Sequence, residues 1–292
     1  MQHIPRFSAK MGGQRRHVRA FLANFNLKYL SRSVDQIHQH FSRYFTLHIA
    51  NDEHEKRLCY QTRHQVFAEE LKQHLPSSQR IDNDEFDAYS VIGFVRHKSS
   101  GACAGTVRLV LPHHAGQPLP VERAASAALR LEANHPHHFH PTSICEISKL
   151  AIPAHFRRRS VDRGGWQATA DGVHPQADLQ NSRLLPYLGM ALYFLAFSLS
   201  RYYHVQYGYV VLQPRMARTM ALLGIELIPV GKPFEQHGQR QAYLYMPERV
   251  LTALPPNLRS LQKAMIDNLT RRGELPSFQS FRHNKFQREI PE

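Results

Sequence analysis

The sequence predicts an α/β protein of the α+β type, a mixed central sheet flanked by helices, and three observations lead there. Strand-like and helix-like segments follow in the order strand, helix, acidic loop, antiparallel hairpin, strand, helix, strand, helix, strand. Ser90 to His97 and Ala102 to Leu111 are separated by Lys98-Ser99-Ser100-Gly101, a turn that makes them antiparallel neighbours. The uncharged run from Leu184 to Ser200 has the pattern of a helix buried against a sheet.

The elements are read in order as follows. Val34, Ile37, Phe41 and Phe45 recur at helical spacing, and Phe45 to Ile49 then alternates as a first strand. Asp52 is placed to cap a helix from Glu53 to Glu70, which leads into the acidic loop Asp82-Asn83-Asp84-Glu85-Phe86-Asp87. After the hairpin, alanine and leucine between Val121 and Ala133 predict a helix, and His135 to Pro141 a loop. Ser143 to Ile152 reads as a strand that ends at Pro153. Residues 160–182 have no apolar period and are read as an inserted loop. Then come the apolar helix of about 184–202, a strand from Tyr207 to Leu212, and a short helix from Pro214 to Leu223. Ile225 to Pro229 and Ala242 to Tyr245 are read as closing strands, and Leu258 to Leu269 as a last helix. The expected organisation is a basic arm over 1–33, a main domain over 34–254, and a helix with a basic tail over 255–292.

Composition bounds the function. The chain has 292 residues, 42% of them hydrophobic, enough to bury a sizeable core, which excludes a wholly disordered chain. Its formal charge of +14 creates a field attractive to phosphates, anionic lipid and acidic proteins. The three cysteines, Cys59, Cys103 and Cys145, form no C-x-x-C pair and fit a reducing compartment. Met1 to Ala20 carries scattered arginines and no compact apolar stretch, so no signal peptide is read and a cytoplasmic location is expected. Leu184 to Ser200 lies at the lower limit for spanning a membrane and is broken by Pro186 and Gly189, so the buried helix is the preferred reading.

Four short motifs carry the chemistry: Arg63-His64-Gln65-Val66-Phe67-Ala68-Glu69-Glu70, Asp84-Glu85-Phe86-Asp87, Gly105-Thr106-Val107-Arg108-Leu109 and Glu146-Ile147-Ser148-Lys149-Leu150. In this order and spacing, over about Phe45 to Ala151, the chain resembles acyl-homoserine-lactone autoinducer synthases and N-acyl amino acid synthases, which are GNAT-like enzymes. Adding Tyr209-Val210-Val211-Leu212-Gln213-Pro214-Arg215, Leu223-Gly224-Ile225 and His237-Gly238-Gln239-Arg240-Gln241 extends the likeness to about Leu254. Over that span the chain looks like the PEP-CTERM/exosortase system-associated acyltransferases. The resemblance implies a mostly antiparallel GNAT-like sheet and an acyltransferase acting on acyl groups other than amino-acyl.

An amine attacking a thioester must be uncharged, so a carboxylate or a water held by one has to take its proton. Glu146, with Arg108 beside it as the second catalytic candidate, is the residue expected to do this. The same glutamate also reads as an ion-paired acid that orients a neighbouring strand. The resemblance implies that Arg63, Asp84, Asp87, Arg108 and Lys149 join Glu146 in a charged cluster that binds the amine substrate. In that cluster Asp84 and Asp87 suit an ammonium and Arg108 suits a carboxylate held through two parallel hydrogen bonds. The alternative is an ion-pair network between loop and sheet. Lys149 departs from the autoinducer-synthase pattern, where arginine is usual, and a compact ammonium cannot reproduce the planar fork.

The donor site is expected at Arg157, Arg158 and Arg159, with Ile147 and Leu150 on the strand beside it. The glycine spacing of a pyrophosphate-binding turn is missing after these arginines, leaving Arg163-Gly164-Gly165 as a fragment. No tightly bound cofactor is expected. The donor is expected to be an acyl-carrier protein phosphopantetheine thioester or acyl-CoA, with basic residues around Arg157 to Arg163 and Arg215 to Arg218 facing an acidic carrier. The histidines at 113–114 and 135–140 sit among prolines without a cysteine pair, and no metal site is read from them. Two alternatives remain, an acyl-homoserine-lactone-type autoinducer synthase and a non-enzymatic basic nucleic-acid-binding protein, for which no zinc-finger, RRM or helix-turn-helix motif is found; a peripheral contact of the amino-terminal arm with an anionic membrane is compatible with catalysis.

Overall fold

The computed structural model describes residues 41–73, 76–129, 134–157 and 185–275. The expected basic arm over 1–33, residues 34–40 at the start of the first expected helix, the whole inserted loop over 160–182, and the basic tail from 276 onward lie outside the described residues.

Seven strands form one sheet in the order β1-β2-β3-β4-β5-β7-β6. β1 (Phe45–Ile49), β2 (Ser90–His97), β3 (Cys103–Val110) and β4 (Ile144–Ala151) pair antiparallel in sequence order. β5 (Tyr207–Leu212) then runs parallel to β4. β6 (Ile228–Glu235) and β7 (Gln239–Tyr245) close the far edge antiparallel, with β7 next to β5. The fold class expected from the sequence is the one found, a mixed and mostly antiparallel sheet flanked by helices. A parallel neighbour needs a crossover, and α5 (Leu185–Tyr202) is part of it.

Before it come α1 (Glu53–His64), α2 (Pro120–Ala124), α3 (Ser126–Leu129) and the single turn α4 (Ala154–Arg157); after β5 come α6 (Pro214–Leu222), α7 (Pro247–Ala253) and α8 (Pro256–Arg271). The apolar run is therefore a core helix. Leu192, Leu195, Ala196 and Phe197 of α5 are buried in one cluster with Val107 of β3 and Ile147 of β4. Gly93 and Gly105 let α5 lie close on the sheet, since an added Cβ at either would run into Leu195 or Leu192. No described helix is long and apolar enough to cross a membrane.

The opposite face holds two smaller clusters, one under α2 and α3 with Phe86 and Tyr89, the other under α1 around Cys59, Phe94 and Cys103. Asp52 caps α1 as expected, its Oδ1 accepting from Glu55 N at 2.7 Å. Past His64 the helix widens into a π turn over Gln65–Glu70.

Three expectations need correction. The helix foreseen from Val121 to Ala133 is two short helices, α2 and α3, broken at Ala125, and residues 130–133 lie outside the described residues. The closing strands start at Ile228 and Gln239 rather than Ile225 and Ala242. Ile225 is instead a core residue, and the register of β6 shifts between Val230 and Phe234, where Gly231 has φ +68° and Pro233 interrupts the alternation. Helix α7, started by Pro247 at its first turn and burying Val250 and Leu251, is absent from the sequence reading.

Candidate active site

The sheet parts at its centre. β4 and β5 pair from Ile144↔Tyr207 to Ile147↔Val210, and beyond Ile147 the backbone of β4 keeps ladder partners only on its β3 side. A cleft of about 610 Å³ opens there, with Ile147, Ser148, Lys149 and Leu150 on one wall and Val210, Val211 and Leu212 on the other. Lys149 makes the opening irregular. Arg108 pairs with Ser148 but Thr106 with Ala151, so β4 carries one extra residue, and Lys149 takes it up with φ +50°. A left-handed conformation costs a non-glycine residue about 1–2 kcal/mol. The bulge carries the Lys149 ammonium to Asp82 at 2.6 Å and Asp84 at 3.8 Å, over the ring of Phe67 at 5.5 Å.

Glu146 sits at the floor of the cleft, 3% exposed. Its Oε2 accepts the Val121 N–H at the start of α2, at 2.7 Å. Its Oε1 has no partner among the described residues. Burial pushes the carboxyl up to about 8, against the downward pull of the Val121 hydrogen bond and the Arg108 cation. An acid of this kind is mostly neutral at pH 7 yet ionises within the physiological range.

Arg108 is 1% exposed and heavily engaged. Its Nε donates to Ser148 Oγ at 3.0 Å, and its Nη1 pairs with both Asp84 and, at 3.1 Å, Asp87. Each two-nitrogen edge of the guanidinium therefore has one nitrogen in use. The carboxylate clamp expected of Arg108 has no free fork to work with.

Asp84 and Asp87 are placed by the loop that ends in the 3₁₀ turn Glu85–Tyr89. Asp84 caps the turn by accepting from Phe86 N at 3.1 Å, and Asp87 reaches back to Asp84 N at 3.0 Å, which is a capping box. Asp87 also accepts from Arg63 Nη1 at 2.7 Å. Burial alone would raise the Asp87 carboxyl, but Arg63 and Arg108 hold it below the usual carboxylate range. Arg63 is fully buried, beneath the Tyr60 ring at 5.3 Å. Neither Arg63 nor Asp87 lines the cleft, whereas Asp84, Arg108, Glu146 and Lys149 do. The charged cluster is thus a loop-to-sheet ion-pair network with one side open to the cleft. Through Asp84 Oδ2 and Glu146 Oε1 that side still offers carboxylate oxygens.

Of the donor-site residues, Ile147 is a core side chain whose backbone stands at the parting of the strands, and Leu150 lines the cleft. Arg157 ends α4; its side chain, with Arg158 and Arg159, lies outside the described residues. Sequence reasoning missed the Val121 N–H, Asp82 as the partner of Lys149, and three further lining residues, Tyr193, His237 and Arg240. Arg240 stood inside a quoted motif without a role. Burial pushes the Tyr193 phenol up to about 12, with the Arg240 cation pulling the other way.

Residues 62–167, the stretch that contains every member of this network, match the acetyltransferase (GNAT) domain family. That stretch carries a GNAT acetyltransferase domain. No curated protein sequence matches the chain. Among solved structures, the GNAT-like fold is similar to TofI in a ternary complex with an inhibitor and MTA, at 19% identity and a TM-score of 0.50, covering 74% of this chain and 99% of that one. It is similar to BjaI, a CoA-dependent acyl-homoserine lactone synthase with SAM and isopentyl-CoA, at 14% identity and 0.50, covering 76% and 89%. FeeM, an N-acyl amino acid synthase from uncultured soil microbes, gives 12% identity and 0.46, covering 74% and 97%.

Proposed function

We propose that this GNAT protein is an N-acyltransferase that moves a fatty acyl group from an acyl-carrier protein or acyl-CoA thioester to the amine of a small, amino-acid-like acceptor. The observation that carries this reading is Glu146: a buried carboxyl with a raised pKa, anchored through one oxygen and open through the other, at the floor of a cleft where two parallel strands part.

The chemistry follows from that arrangement. The acceptor's ammonium rests between Asp84 Oδ2 and Glu146 Oε1, and ionised Glu146 takes the proton that the nitrogen sheds. The free amine attacks the thioester carbonyl carbon and the C–N bond forms; as the C–S bond breaks, the nitrogen gives up a second proton, and the sulfur takes it and leaves as the carrier's thiol. Backbone N–H groups of β4 beyond Ile147, released from β5, are the donors available to the carbonyl oxygen as charge develops on it. The apolar wall of Val210, Val211, Leu212 and Leu150 suits an acyl chain. Arg63 and Asp87 act through Arg108 and Asp84 as positioning residues. An acidic carrier would approach the basic surface, to which Arg215 and Arg218 of α6 contribute. The link to a PEP-CTERM/exosortase system is proposed on the motif resemblance.

Purified protein given acyl-CoA and, separately, acylated carrier protein, with a mixture of amino acids and amines, should release thiol and form an acylated amine seen by mass spectrometry. Full release of thiol without any acylated amine would make the protein a thioesterase and end this reading.

A further inference from the structure

Four cations and a histidine line the cleft, and their partners distinguish them. Arg108 is held by Asp84, Asp87 and Ser148, Lys149 by Asp82 and Asp84, and Arg123 by Glu85. Arg240 has no carboxylate partner among the described residues. Its Nε donates to the Gln236 carbonyl at 3.2 Å, which fixes the plane of the guanidinium and leaves both terminal nitrogens for a ligand. Arg240 stands on β7 one residue before Gln241, which pairs with Leu212, the last residue of β5. His237, in the left-handed conformation at φ +52°, lines the same cleft.

We infer that Arg240, with His237 beside it, is the acceptor-specificity residue of this site: its terminal nitrogens take the carboxylate of the acceptor while the acceptor's amine lies toward Asp84 and Glu146. The inference rests on the proposed N-acyl transfer to an amino-acid-like amine. It assigns the carboxylate recognition expected of Arg108 to a residue whose fork is free. A cation beside the end of β5 and, toward Glu146, carboxylate oxygens of which Asp84 Oδ2 has, among the described residues, only the Lys149 ammonium near it at 3.8 Å form a complementary pair for a zwitterion, and an amine without a carboxylate satisfies only half of it.

The test uses binding, so that it does not depend on turnover. The affinity of the full-length protein for each of the free α-amino acids and for the matching α-amino amides is measured by calorimetry without donor, then repeated with Arg240→Gln and Arg240→Lys. Wild type should prefer the acid over its amide by about tenfold to a hundredfold for the amino acids it binds, the scale of a charge-assisted hydrogen-bonded pair. That preference should fall to about one in Arg240→Gln and recover in part in Arg240→Lys. Equal affinity of wild type for acids and amides, or a preference that survives Arg240→Gln, overturns the inference. So does a loss confined to the donor, in which Arg240→Gln weakens acyl-phosphopantetheine but not acyl-pantetheine, because the anion would then be the donor's phosphate. Acid preference lost in Arg240→Gln, together with no acylated product from any donor, would uphold this site and sink the proposed reaction.

Discussion

Replacing Glu146 by glutamine tests the base and its burial together, with opposite signs in two assays. The side chain is 3% exposed, and its carboxyl titrates near 8 instead of the ordinary 4.5. A raised carboxyl favours folding fully below the unfolded value, and that contribution is lost as pH rises from about 4.5 through about 8. At pH 7 the interval already crossed is about 2.5 units, which at 1.36 kcal/mol per unit is about 3 kcal/mol set against the fold. Glutamine escapes this cost, and its carbonyl oxygen can still accept the Val121 N–H. Glu146→Gln should therefore be more stable than wild type at pH 7 by up to about 3 kcal/mol, and the gain should vanish by about pH 4. Turnover should fall by about 10²–10⁴, the range for removal of a general base. Urea unfolding at several pH values and thiol release at saturating substrate measure the two effects. A variant that is less stable at pH 7, or that turns over at a near-normal rate, refutes the argument that Glu146 is a strained base.

Three further outcomes follow from the same network. In wild type, kcat/KM should rise with pH and level off above about 8, because the raised Glu146 carboxyl must ionise before it can accept a proton, and Glu146→Gln should lose that inflection. Asp87→Asn should destabilise the fold by about 3–5 kcal/mol at pH 7, read from the urea midpoint, because it strips the charge partner from fully buried Arg63. Gly208→Ala should lower stability by about 1–3 kcal/mol, since the new methyl meets the Tyr245 ring and disturbs its 2.8 Å hydrogen bond with Ser200; a neutral result would mean that β5 and β7 can shift apart at no cost.

Much of the fold was legible because its signals are local. β1 begins and ends where apolar alternation does, β5 covers the residues read as a strand, and Asp52 caps α1 through a side chain that sequence alone puts at the right offset. β6 was misplaced because its ladder continues through a bulge at Gly231-Lys232-Pro233, where no alternation remains to read. In the site, residue types announced a charged cluster, but which members face the cleft depends on geometry that types do not encode. Asp84 and Asp87 look equivalent in sequence. The capping box turns Asp87 inward onto Arg63 and leaves Asp84 at the rim. The left-handed bend at Lys149 comes from its register against β3, and nothing in the neighbouring residues foretells it. Arg240 differs from the other cleft cations in having no carboxylate partner among the described residues, a property of the assembled molecule.

The parallel seam between β4 and β5 divides the sheet into halves that are assembled differently. β1 to β4 pair antiparallel with their neighbours in chain order, whereas the seam joins strands that run the same way and are linked through the α5 crossover. The cleft therefore has one wall on each half, and a ligand lying in it would grip both halves like a rivet. Nascent chains that have finished the first four strands already own most of the charged network, but nowhere to seat a substrate.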